Sequence, residues 1–203
     1  MTSQYITNNL LTVNEYLLII QPDASVAEKI NNLKKDFADK YECSQAVYSK
    51  PHITLIKFIQ LQMNEPRIIR VINEIITRFD AIQIKINGFA SFPAHTIYVN
   101  IETKNDIITL VKLLKPIQAF LKIDNEHKPH YITEPHLTIA RKLLPWQYEK
   151  GWLEYSHTSL VTGFRANEVV LLRRNFEGGK YVTAAMFQLM GKTQNIAEQV
   201  SLF

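Results

Sequence analysis

The chain of 203 residues is 46% hydrophobic and 21% charged, a balance typical of a globular protein with its own apolar core. Its single cysteine, Cys43, excludes an intrachain disulfide, and its apolar runs are too short for a membrane-spanning helix. The net charge of +4 favours anionic partners. A first stretch unlike a signal peptide, together with the lone cysteine, predicts a cytoplasmic protein with no membrane partner.

The first predicted elements are a strand and a helix. Residues 15–23 (EYLLIIQPD) are an apolar run that reaches a proline, which indicates a strand. Residues 23–40 predict a helix, and Ser25 with Glu28 three positions later predicts a capping box at its start. Four apolar side chains recur on one face of this helix: Val26, Ile30, Leu33 and Phe37.

The rest of the chain alternates strands and helices in the same way. Further strands are predicted in residues 51–60, 81–88, 95–102, 135–143, 167–175 and 180–189. Helices are predicted in residues 64–80, 105–115 and 145–155. Pro116 should end or kink the third helix, and the paired glycines of residues 176–180 (FEGGK) predict a turn between the last two strands.

This order of elements predicts an α+β fold with two similar halves. No linker rich in glycine, serine or proline separates the halves, so we expect residues 1–203 to form one domain of two lobes. We also expect the protein to be a monomer. Residues 1–14 are predicted to be a flexible N-terminal tail. Residues 191–203 are compatible with either a short helix or a loose tail.

A short motif occurs twice, once in each half. Residues 51–58 (PHITLIKF) and 135–143 (PHLTIARKL) both contain Pro-His-x-Thr on a predicted strand. Side chains alternate faces along a strand, so each histidine and its threonine point the same way. The helices should cover the opposite, apolar face. His52, Thr54, His136 and Thr138 would then meet in a polar groove if the two strands lie side by side.

Two imidazoles and two hydroxyls suit the cleavage of a phosphodiester bond. A neutral imidazole can take a proton from the attacking group, and an imidazolium can give one to the leaving oxygen. The threonine hydroxyls can donate to the phosphate oxygens on which charge develops. These residues do not decide which histidine is the acid and which is the base.

The paired His-x-Thr motifs, the YLLIIQPD and FPAHTIYVNI stretches, and the end of the chain resemble the 2H phosphoesterase superfamily. The most similar type is its 2′-5′ RNA ligase and RNA 2′,3′-cyclic phosphodiesterase branch. The resemblance implies two pseudo-symmetric lobes of antiparallel sheet, outer helices and a central cleft that carries both motifs. It implies metal-independent hydrolysis without a cofactor, on 2′,3′-cyclic phosphates or 2′-5′ linkages of RNA or small nucleotides. Reversible 2′-5′ ligation is part of the same expectation.

By that resemblance, four residues match the catalytic positions: His52, Thr54, His136 and Thr138. Substrate contacts are assigned to aromatic and basic side chains: Phe92, Tyr181, Arg141 and Tyr131, with Tyr48 as a further stacking candidate. On a regular strand, Arg141 would point away from His136 and Lys57 away from His52, whereas Lys142 would share the face of His136.

Three rival hypotheses remain open at this point. The same cleft could bind a nucleotide or RNA without turnover. A metal-dependent hydrolase could use several of the six histidines, although His127 and His130 lie in a Lys/Pro-rich stretch without a cysteine, which favours solvated side chains. An interaction protein could carry the motifs as remnants, in which case the four side chains need not converge.

Overall fold

The computed structural model describes residues 11–191. The strands are β1 (Val13–Ile20), β2 (Ile53–Leu61), β3 (Ile82–Phe92), β4 (Thr96–Ile101), β5 (His130–Tyr131), β6 (His136–Arg141), β7 (Val161–Ala166), β8 (Glu168–Asn175) and β9 (Gly178–Gln188). The helices are α1 (Ala24–Lys40), α2 (Glu65–Ile76), α3 (Lys104–Leu114), α4 (Gln118–Leu121) and α5 (Pro145–Tyr155). Short 3-10 turns occupy Ser44–Val47, Gln62–Asn64 and Lys115–Ile117.

The strands form two antiparallel sheets. The larger sheet has the order β5-β2-β1-β8-β9, and the smaller has the order β6-β4-β3-β7. Each sheet therefore holds one motif strand, β2 or β6, and these two strands contact each other. The prediction of an α+β protein with two lobes is confirmed.

The helices cover the sheets in an exchanged arrangement. Helix α1 follows β1 in the chain but packs against β6 and β7 of the smaller sheet, beside α5 on β4. Helices α3 and α4 contact β2, and α2 contacts β9 of the larger sheet. Helix α1 thus follows a strand of the larger sheet and contacts the smaller one, whereas α3 follows a strand of the smaller sheet and contacts the larger one.

Helix α1 differs from its prediction in two details. Its N-cap is Asp23, whose carboxylate accepts a hydrogen bond from the amide of Val26 at 2.9 Å, so the Ser25–Glu28 capping box is wrong. Its buried stripe contains Lys34 in place of Leu33, which is only half-buried. A lysine therefore occupies a core-facing position of this helix.

Two strands were not predicted: β5, which has two residues, and β7. The sequence of β7 (VTGFRA) lacks a regular alternation of apolar residues, and its place is decided by pairing with β3. Strand β1 begins at Val13, so the end of the predicted N-terminal tail belongs to the sheet. The remainder of that tail, residues 1–10, and residues 192–203 of the C-terminal segment lie outside the described residues. Within the described chain, no helix has the length and apolar content to cross a bilayer.

Candidate active site

The two motif histidines lie at equivalent places on two contacting strands, one in each sheet. His52 immediately precedes β2, and His136 is the first residue of β6. Both are half-buried, and so are Thr54 and Thr138 two residues on. His136 is close enough to His52 for its charge to act on the pKa of that imidazole. The structure therefore brings the two motif strands and their histidines close to each other.

The two imidazoles are held in the same way. Nδ1 of His52 lies 2.8 Å from the carbonyl oxygen of Lys50, and Nδ1 of His136 lies 2.7 Å from that of Glu134. A carbonyl oxygen only accepts hydrogen bonds, so each Nδ1 must carry the proton. Nε2 is then the nitrogen left for chemistry: a base in the neutral ring and an acid in the imidazolium.

A β-bulge interrupts both motif strands at the same place, one residue after the threonine. In β2, Thr54 pairs with Ile19 and Ile56 with Leu18, which leaves Leu55 as the extra residue. In β6, Thr138 pairs with Tyr98 and Ala140 with Ile97, which leaves Ile139 as the extra residue. A bulge reverses the alternation of faces beyond it.

The bulges bring one cation per strand onto the histidine face. Lys57 pairs with Leu17, two residues from the partner of Thr54, and Arg141 pairs with Thr96, two residues from the partner of Thr138. Directly paired residues share a face. The expectation that Lys57 and Arg141 point away from the histidines is thus wrong, because it assumed regular strands.

Arg141 lies near the first histidine as well as at the end of the second motif strand. Its charge lowers the pKa of His52 and contributes to lowering the pKa of Lys34. The side chain is exposed, and no salt bridge among residues 11–191 involves it. Lys142, predicted to share the face of His136, lies beyond the end of β6 with a left-handed backbone (φ 54°).

Lys34 is a component of this site that sequence reasoning missed. It is 2% exposed on α1, and its ammonium donates to the carbonyl and, at 3.2 Å, to the hydroxyl of Ser49. Ser49 precedes the Lys50 carbonyl that holds His52, so the ammonium fixes the approach to β2. Burial and the charge of Arg141 lower the pKa of Lys34 to about 8. The available signal was a lysine at a stripe position of an amphipathic helix.

The surroundings of the second histidine are aromatic and acidic. The ring of Phe92 meets His136 edge-on with centroids 5.1 Å apart, and the buried ring of Tyr98 lies 4.9 Å from it. Phe92, a predicted substrate contact, is therefore in the groove. Tyr98 was missed, although it occupies an alternating position of a predicted strand. Glu134, paired with Lys104, places a carboxylate near His136.

The two histidines experience different charges. Burial is the main cause that lowers the pKa of each imidazole. The hydrogen bond to the Lys50 carbonyl raises the pKa of His52. The charges of Lys34, Arg141 and His136 lower it further. For His136, the carbonyl and the carboxylate of Glu134 both raise the pKa, and Lys104 lowers it.

Tyr181 and Tyr131, both predicted substrate contacts, lie on different faces of the larger sheet. Tyr181 lies on the groove face of β9, where its hydroxyl donates to the carboxylate of Glu15 and the guanidinium of Arg174 covers its ring at 4.7 Å. Tyr131 is a correction: it pairs with buried Ile56, packs against the core and donates to the carbonyl of Leu114 at 3.4 Å. The two-residue strand β5 fixes its ring on the core face.

A depression of about 110 Å³ adjoins the second motif. Thr138, Arg141 and Lys142 line it together with Tyr48 and Ser49. Tyr48 is 79% exposed, so its ring stands open at the rim. Within residues 11–191, no group of three or more His, Cys, Asp or Glu side chains is arranged to hold a metal ion.

Paired His-x-Thr strands on two contacting sheets are the feature by which the sequence resembles the 2H phosphoesterases, and the family comparison agrees. The model of the 2′-5′ RNA ligase superfamily matches residues 22–177, so this chain belongs to that superfamily. No curated protein sequence matches it.

Solved structures share the fold at low sequence identity. Escherichia coli LigT complexed with 3′-AMP has a TM-score of 0.59 and 12% identity, over 88% of this chain and 98% of that one. E. coli LigT complexed with NADP+ has a TM-score of 0.58 and 12% identity, over 88% and 99%. TT0787 of Thermus thermophilus has a TM-score of 0.56 and 13% identity, over 88% and 99%.

Proposed function

We propose that this protein is a metal-independent phosphodiesterase that opens 2′,3′-cyclic phosphates, or cleaves and in reverse forms 2′-5′ linkages, in RNA or small nucleotides. The observation that carries the proposal is the matched pair of imidazoles, each with Nδ1 on a backbone carbonyl and Nε2 left for chemistry. One Nε2 removes the proton of the attacking hydroxyl or water. The other protonates the leaving oxygen. One P–O bond therefore forms as the other breaks, and the proton taken up by one imidazole is matched by the proton that the other gives away.

The polar groups around the pair suit a phosphate. Thr54 and Thr138 share the face of their histidines, so that their hydroxyls can donate to the non-bridging oxygens. Arg141 adds a guanidinium without an ion pair in the described chain, and guanidinium is well matched to two phosphate oxygens. Together they stabilise the charge of the transition state.

Aromatic side chains on both sides of the groove suit a nucleobase. Phe92 lies against His136, and the ring of Tyr48 is open at the depression beside Arg141. Such rings bind bases by stacking, which tolerates different base identities. Nucleotides are also the ligands named for LigT, which was solved with 3′-AMP, NADP+ and ATP.

The test is turnover of a 2′,3′-cyclic nucleotide and of an oligoribonucleotide ending in a cyclic phosphate, both in excess EDTA. We expect hydrolysis by the wild-type protein and loss of it in His52→Ala and in His136→Ala. A wild-type protein inactive on both substrates, or full activity in either variant, would contradict the proposal. Nucleotide binding without product would support the binding-module alternative, and activity abolished by EDTA would support a metal-dependent hydrolase.

A further inference from the structure

A second charged cluster lies on the same groove face as the motif histidines. Its centre is the carboxylate of Glu15 on β1, whose side chain is 7% exposed. The ammonium of Lys57 lies 2.5 Å from it, and Arg174 approaches it with Nη2 at 2.5 Å and Nε at 2.8 Å. The hydroxyl of Tyr181 donates to the same carboxylate. We call these four residues the Glu15 cluster.

The strand register places the Glu15 cluster on the groove side of the sheet. Glu15 pairs with Arg174, and Leu17, two residues further, pairs with Lys57. Because the bulge in β2 turns Lys57 onto the face of Thr54, the cluster continues the same surface. Thr54 and Lys57 are three residues apart, so roughly 10 Å at most separates their backbones.

The Glu15 cluster presents positive charge to the groove. Its two cations outweigh the single carboxylate, and the hydrogen bonds from Lys57, Arg174 and Tyr181 together keep the pKa of Glu15 below its ordinary value despite burial. The side chains of Lys57 and Arg174 are 46% and 32% exposed, above a carboxylate that is nearly closed off. An ammonium has three N–H donors and a guanidinium five, so both keep donors for a ligand.

This arrangement differs from a surface ion pair in its organisation. The buried carboxylate holds both cations from below, and the Tyr181 ring supports the guanidinium of Arg174. Their orientation is therefore set before a ligand arrives. The charge of Arg141 lowers the pKa of Tyr181, so Arg141 is close enough to the Glu15 cluster to interact with it electrostatically.

We propose that the Glu15 cluster binds a second phosphate of the substrate, the one on the 5′ side of the nucleoside that carries the reacting phosphate. This inference rests on the proposed function and defines its substrate class. A nucleoside with only a cyclic phosphate leaves the cluster empty. A nucleotide with a 5′-phosphate, or the end of an RNA strand, fills both positions.

Binding of product-like ligands tests the cluster without requiring turnover. Calorimetry would compare a nucleoside 3′-monophosphate, a nucleoside 3′,5′-bisphosphate and a dinucleotide 3′-phosphate. We expect the wild-type protein to bind the last two about tenfold more tightly than the first, the size of one charge-assisted contact. Tighter binding of the bisphosphate alone would identify small nucleotides as the substrates that supply the second phosphate. Tighter binding of both ligands would show that RNA ends supply it as well.

Variants separate this site from general charge effects. In Lys57→Met and in Arg174→Met the tenfold preference should fall to about twofold or less, as it should for a dinucleotide with a neutral methylphosphonate linkage. Lys112→Met and Arg78→Met remove exposed cations elsewhere and should keep the preference. Glu15→Gln should also reduce it, and melting curves would establish that each variant is folded.

Two outcomes would overturn the inference: no wild-type preference, or a preference unchanged in both Lys57→Met and Arg174→Met. Neither depends on catalysis. A clear preference in a protein that hydrolyses no cyclic phosphate would contradict the proposed function while supporting the subsite. Hydrolysis without any preference would contradict only the subsite.

Discussion

The two halves of the groove share a backbone plan but differ in what surrounds it. Strands β2 and β6 each carry His-x-Thr, a bulge after the threonine and a cation two residues beyond the bulge. Around His52 the neighbouring charges are the cations Lys34 and Arg141, whereas His136 has the ion pair of Glu134 and Lys104 and two aromatic rings.

The cations of the two strands also differ. Lys57 is tied to the buried carboxylate of Glu15, while Arg141 has no salt bridge within residues 11–191. A repeated motif with the same bulge fixes where its side chains point. Their chemical roles are set by neighbours that the repeat does not include.

The largest expected effect tests whether the two histidines act as a unit. His52→Ala and His136→Ala should each lower kcat by about 10²- to 10⁴-fold, because each removes one proton transfer. The kcat of the double variant should be only slightly lower than that of the less active single variant, since the loss of either histidine disables the pair. The check is kcat of all three proteins on a cyclic-phosphate substrate. Losses that multiply in the double variant would show independent roles.

The threonines should rank next. Thr54→Val and Thr138→Val preserve side-chain volume but remove a hydroxyl aimed at the phosphate, and each should lower kcat by about 10²-fold. Thr109→Val, on the exposed face of α3, is the matched control and should have no effect. Equal kcat values in wild type and in Thr138→Val would contradict the phosphate role of that strand.

Arg141 and Lys142 are adjacent cations, of which only Arg141 is expected to contact the phosphate, so their variants can be compared directly. Arg141→Met should raise KM about tenfold through loss of a guanidinium–phosphate contact. Lys142→Met removes an adjacent exposed cation that lies beyond the end of β6, at the edge of the same depression, and should change KM by less than about twofold. The measurement is KM for a cyclic nucleotide at fixed ionic strength. A larger effect at Lys142 would mean that the bulge does not direct Arg141 into the groove.

The smallest effect identifies the role of His52. Below its pKa of about 8, Lys34 is charged and lowers the pKa of His52, together with burial, Arg141 and His136. Lys34→Met removes that charge and should raise the pKa of His52. In the pH profile of kcat/KM, the limb governed by His52 then moves to higher pH.

A shift of the acidic limb would make His52 the base, because the base must be neutral to act. A shift of the alkaline limb would make it the acid. Lys35→Met, one residue further along α1 and exposed, should shift neither limb. Identical profiles for Lys34→Met and the wild type would contradict the electrostatic difference between the halves.

Much of the fold and the centre of the site could be predicted. Strong periodicity located the four longer helices and seven strands, and two Pro-His-x-Thr strands indicated the groove. β7 was missed because its residues have no clear pattern and are held by pairing with β3. Tyr131 was misplaced because the two-residue strand β5, not the local sequence, decides its face.

The amino-acid sequence predicts the repeated His-x-Thr strands and the face that each histidine shares with its threonine, since both follow from the two-residue period of a strand. The tertiary structure brings Lys57 and Arg141 onto that face, because a bulge depends on register with the neighbouring strand. It also decided that Lys34 lies behind His52, because α1 crosses to the sheet of the other half. Such relations join residues far apart in the chain, where no local period can reveal them.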